Sequence, residues 1–261
     1  MKNSIFILMM TTIASGVVQA ATWPSSTLNC KQDIKGISLP SGVNQDALVK
    51  ALHPESLKKT ATEAELVCLA GVKEWKAASQ QIAVLLTQNF TKVERTGGAD
   101  SHEAHLYLAI VEVPSLKVVE KLTAPITLET ADEFQALDTA AYKMAENHFA
   151  FGLRTQQVDS LAGGGNVYKY LRLYHVKGQD LKLILGPLLM QSTSDMAGDW
   201  HEDGTRDHDT SNSGVATIKI LKTKTQGMFD LERTKADKSK DQFQWDGSVY
   251  STDDETVKDS N

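Results

Sequence analysis

In a chain of 261 residues, 33 Asp and Glu outnumber 27 Lys and Arg, so there is no basic surplus to displace counterions. That balance argues against nucleic acid or an anionic bilayer as the partner. Apolar residues make up 41%, enough for a sizeable core, and only Cys30 and Cys68 are available to cross-link it.

Residues 1–20 read as a cleaved secretory leader: Lys2, the apolar run Ile5 to Met10, and small residues at Val18 and Ala20 ahead of a cut before Ala21. The run is too short to span a bilayer and no stop-transfer pattern follows, so a periplasmic chain with no membrane span after cleavage is expected. Loss of Lys2 leaves 26 basic against 33 acidic residues, the ordinary means of staying soluble. In an oxidising compartment two cysteines most simply pair. A Cys30–Cys68 bridge is expected to contribute about 3 to 4 kcal/mol, with two buried free thiols as the alternative.

Residues 21–95 are expected to form a helical N-terminal subdomain. Pro24, Gly36 and Pro40 keep its start irregular, and Ala47, Leu48, Ala51 and Leu52 recur at helical spacing before Pro54 stops the helix. Thr62 and Glu65 have capping-box spacing ahead of a stripe formed by Cys68, Val72, Trp75, Ser79, Ile82 and Leu86, which predicts a long amphipathic helix ending near Phe90.

A polar linker with Gly97-Gly98 precedes an antiparallel β domain over 104–250. Its expected strands include Leu106 to Val113, Val118 to Leu122, Ile126 to Glu129 and, after a short helical turn, Phe149 to Arg154. Tyr168 to Met190 carries the clearest hairpin, with Leu171 and Leu173 answering Leu181, Leu183 and Leu185 across a Lys177-Gly178-Gln179 turn. Three further strands alternate around Ile218, Phe229 and Phe243, with Gln226-Gly227 and Asp246-Gly247 as turns. Alternation of this kind means one wet face. A polar tail over 251–261 is expected to be disordered. The fold class is therefore α+β, N-terminal amphipathic helices followed by a twisted sheet, a sandwich or an incomplete propeller.

The chemistry concentrates in Asp199-Trp200-His201-Glu202-Asp203-Gly204-Thr205-Arg206-Asp207-His208-Asp209. Asp at positions 1, 5 and 9 with Gly at 6 is the pattern by which a short loop wraps oxygen ligands round Ca²⁺. The run resembles the calcium loops of integrin-type FG-GAP repeats and dockerins, but His201 stands at position 3 and Thr210 at position 12. Asp199, His201, Asp203, Asp207 and Asp209 are thus candidate ligands for Ca²⁺ or, through the imidazoles, Zn²⁺. A solvated acidic loop is the competing reading.

No catalytic motif is present: G-x-S-x-G is missing, and His102-Glu103-Ala104-His105 has the wrong spacing for H-E-x-x-H. The segments Leu137 to Tyr142, Ala150 to Arg154, Gly198 to Trp200 and Phe243 to Tyr250 together resemble a group of exported Gram-negative proteins with no assigned activity. That resemblance implies export and a β-rich fold. The expected function is non-catalytic binding of a protein partner through a sheet face or the loops at one sheet end. An inhibitor or immunity protein against a cell-wall-targeting enzyme is its concrete form. A metal-binding protein using residues 199–209 and a hydrolase with a dispersed site are the alternatives.

Overall fold

The structure is a computed structural model that describes residues 39–53, 67–75, 80–89, 93–94, 100–101, 104–124, 126–128, 132–161, 163–177 and 180–252. The expected leader, Cys30 and the tail beyond Thr252 lie outside the described residues.

One expected helix forms. In α1 (Gln45–Leu52) the Asn44 side chain caps the first turn by accepting from the Ala47 N–H at 2.8 Å, and His53, the residue before Pro54, is the C-cap. Its buried face, Leu48 and Val49, packs on the sheet.

The long helix does not form, and with it the α+β class is overturned. Residues 67–75 and 80–89 are instead two antiparallel strands, β1 (Val67–Glu74) and β2 (Gln81–Asn89), in register from Val67 opposite Gln88 to Glu74 opposite Ile82. Among the described residues the protein has one helix and sixteen strands. The reason is that β2 is covered on both sides. Ile82, Val84 and Leu86 face α1, while Ala83 and Leu85 face the interior of the sheet. An apolar residue at every position erases the period of two, and any such run contains a subset at helical spacing.

The remaining strands are β3 (Val93–Glu94), β4 (Asp100–Ser101), β5 (Ala104–Glu112), β6 (Lys117–Leu122), β7 (Ile126–Leu128), β8 (Asp132–Ala145), β9 (His148–Leu161), β10 (Gly164–Lys177), β11 (Asp180–Trp200) and β12 (Arg206–Asn212). After them come β13 (Thr217–Thr225), β14 (Met228–Thr234), β15 (Lys240–Trp245) and β16 (Tyr250–Ser251). The helical turn expected ahead of Phe149 is likewise strand, most of it in β8.

Ten strands form one sheet in the order β1-β2-β5-β6-β11-β10-β9-β8, with β7 on β5 and β12 on β11. It curls until β8 lies against β1, where Lys73 Nζ donates to the Leu137 carbonyl at 3.0 Å, a nearly closed barrel. Trp75, Leu85, Leu108, Ile110, Phe151, Leu153 and Tyr174 fill the interior, the Trp75 and Phe151 rings meeting edge to face at 5.0 Å.

The expected central hairpin is present as β10–β11, with β9 pairing on the other edge of β10. Leu171, Leu173, Leu185 and Leu188 leave the barrel on its outer face, against Met228, Leu231 and Phe243 of a second sheet, β13-β14-β15-β16. The turn at Gln226 (φ 49°) and Gly227 (φ 85°) has both residues left-handed, as a two-residue hairpin loop demands.

Beyond this core β9, β10 and β11 run on and β12 joins them. None of the described residues in 156–170 or 191–215 is buried. This continuation is a single-layer β arm, wet on both faces.

Candidate functional site

The tip of the arm holds the expected metal loop, but as a hairpin and not as a cage. Residues 201–205 form the turn, with the Gly204 N–H donating to the His201 carbonyl at 3.1 Å and Gly204 at φ 80°. Asp203 is spent on that turn: its Oδ1 accepts from the Thr205 N–H at 2.9 Å and Oγ1 at 2.6 Å, and these bonds hold its carboxyl below the usual range.

Side chains of β12 then alternate between faces. Asp207 Oδ1 meets His201 Nε2 at 2.8 Å, while His208 Nδ1 meets Asp195 Oδ1 at 3.0 Å on the other face. Asp209 stands opposite Met196, and Asp199 is the penultimate residue of β11. Among the described residues no group of three His, Cys, Asp or Glu is placed to hold a cation.

What the arm does present is aromatic and acidic. Trp200 is 69% exposed, and the Arg206 guanidinium lies over its ring, 5.2 Å from the centroid, with Nε donating to the Gly198 carbonyl at 2.7 Å. Arg206 thus braces an indole that would otherwise be free to turn. Seven carboxylates, Asp159, Asp195, Asp199, Glu202, Asp203, Asp207 and Asp209, stand on the arm against Lys169 and Arg206. The period-two pattern locates such strands but says nothing of which ones lack a covering layer, so Trp200 was legible only as a loop residue.

A second feature had no sequence signal. Between the end of α1 and β6 lies a cavity of about 410 Å³ whose apolar wall includes Leu52, Val118 and Val119. Gln81, Glu112 and Glu120 line it too, and the exposed Lys117 and Lys121 stand beside them. Glu120 is 5% exposed and its Oε2 has no hydrogen-bond partner. Burial, with the charge of Asp180 adding, pushes its carboxyl above the ordinary range.

The remaining polar contacts lie within the fold. Asp138 Oδ2 accepts from Arg154 Nη2 at 2.6 Å and from the Tyr142 hydroxyl at 2.9 Å. Burial alone would raise this carboxyl, but the guanidinium and hydroxyl outweigh it and hold the value low. His148 and the buried His175 have ring centroids 5.1 Å apart, tilted by 42°. Cys68 is 4% exposed on β1; its expected partner lies outside the described residues.

No protein-family model and no curated protein matches the chain.

Proposed function

We propose that the chain is an exported, non-catalytic binding protein whose arm seats a protein partner with a basic surface. Its concrete form is an inhibitor or immunity protein against an enzyme that attacks the cell wall. The observation that carries this is the uncovered acidic arm ending in Trp200 and Arg206. Trp, Tyr and Arg supply most interface hot spots, and a carboxylate-rich face steers a basic partner while repelling an acidic one. A Cys30–Cys68 bridge and removal of residues 1–20 belong to the same proposal.

The test is inhibition of a basic lysozyme-type muramidase in a wall-clearing assay, with binding followed by surface plasmon resonance. The wild-type chain is expected to bind and inhibit, with an association rate that falls as salt rises. The Trp200→Ala/Arg206→Ala variant is expected to bind at least about tenfold more weakly, since truncating one hot-spot side chain typically costs about 2 kcal/mol or more. Failure of the wild type to bind, or equal binding by the variant, overturns the reading.

A further inference from the structure

The cavity beside β6 is independent of the arm, and its chemistry is of another kind. β11 joins β6 only at Asp180 opposite Lys121 and Leu181 opposite Leu122, so Lys117 to Glu120 have no strand on that side among the described residues. The gap exposes a wall on which charge is sorted by depth. Glu120 is buried, Glu112 half-buried, and Lys117 and Lys121 reach solvent.

Neither lysine bonds Glu120, although both are near it on the same strand. The buried Oε2 of Glu120, without a partner, forfeits the hydrogen bonds it had in water, and a perturbed carboxylate facing a cavity is a candidate ligand-binding group. The volume of about 410 Å³ is that of a small-molecule pocket, and its lining mixes apolar side chains with the polar Gln81, Glu112, Lys117, Glu120 and Lys121.

We propose that this cavity binds a small zwitterion, a free amino acid or dipeptide, with its ammonium on Glu120 and its carboxylate towards Lys117 and Lys121. Glu120 supplies the charge-assisted acceptor that an ammonium needs. Gln81 adds an amide, and Leu52, Val118 and Val119 accept an apolar side chain. A simple cation would meet the two lysines on entry, and a simple anion would meet Glu120 at the bottom. Only a molecule carrying both charges in order satisfies both ends.

The test is isothermal titration and thermal shift of the full mature chain with L-leucine, L-lysine and L-alanyl-L-alanine as probes, and with n-butylammonium and butyrate as single-charge controls. At least one zwitterion is expected to bind and raise the melting temperature. Glu120→Gln is expected to weaken it by about tenfold or more, and Lys117→Ala/Lys121→Ala by a smaller factor. Circular dichroism checks that both variants fold, and the lysine variant, altered only at exposed positions, carries the test if the other does not. No binding of any zwitterion to the wild type, unchanged binding by the variants, or equal binding of either single-charge control overturns the proposal. None of these outcomes touches the muramidase assay.

Discussion

Glu120 shows how one side chain can be invisible in a sequence and decisive in a structure. Lys117-Val118-Val119-Glu120-Lys121 reads as an ordinary strand, and nothing in it announces that Asp180 will be near or that a cavity will open beside it. The charged groups that bear on it are Glu112 on β5, Lys117 and Lys121 on its own strand, and Asp180 on β11. Because the folded-state value lies above the unfolded one, its contribution is fully present below the unfolded carboxylate range and is lost as pH rises through the raised value. Glu120→Gln is therefore expected to raise the urea midpoint of the ligand-free protein at neutral pH, the two curves meeting at about pH 4. Coincident curves at neutral pH would mean a solvated carboxylate. On β14 the lesson is similar. Alternation there suggested a wet face, yet Asp230, Glu232 and Arg233 are buried as well as Leu231. Arg233 pairs with buried Asp241 and donates from Nη1 to the Leu189 carbonyl at 2.8 Å, tying the second sheet to β11. Asp241→Ala strands that guanidinium and is expected to cost about 3 to 5 kcal/mol in urea unfolding. Arg233→Met with Asp241→Leu should recover much of it, and a cost unchanged in the double variant would place the loss elsewhere.

Elements in which polar residues still interrupt the apolar ones were legible, even where both faces are covered as in β5 and β10, whereas the covering layers themselves were not. The strand from Leu106 to Glu112, the β10–β11 pairing and the turn at Gln226-Gly227 stand where the sequence pattern put them, although Leu181 faces the barrel interior, Leu185 the second sheet and Leu183 solvent. The segment from Val67 to Asn89 failed because α1 covers one side and the barrel interior the other, so burial left no period to read. At the arm, spacing in sequence and placement in the fold diverge. Asp199, Asp203 and Asp207 have a calcium-loop spacing in sequence, but a β-hairpin sets alternate residues on opposite faces, and His201, Thr205 and the turn itself use the carboxylates. Ca²⁺ or Zn²⁺ at millimolar concentration is therefore expected to leave the melting temperature of chelator-treated protein unchanged. A rise that Asp203→Asn and Asp207→Asn abolish would show that the hairpin refolds round a cation.

At the scale of the whole molecule, stability and exposure are separated in space. The barrel interior, the α1 face and the second sheet hold the described buried side chains, and the arm contributes none of them between 156 and 170 or between 191 and 215. Its strands are held by ladder hydrogen bonds and a few side-chain pairs such as Tyr170 with Gln157 and Gln191 with Asn212. Each such bond is worth only about 0.5 to 1.5 kcal/mol net, and no fully buried apolar side chain adds to it. The arm should then open without unfolding the barrel, because sub-global opening follows the density of buried contacts. Hydrogen exchange is the measurement. Amides of Val158, Val167 and Thr193 are expected to exchange far faster than those of Leu85, Ile110 and Phe151, although all six residues lie in regular strands. Addition of a partner that seats on the arm should slow the first group and leave the second alone, since the core residues already exchange only through global unfolding. Uniform protection of both groups in the free protein would mean that the arm is part of the cooperative fold, and its wet faces would then need another source of stability.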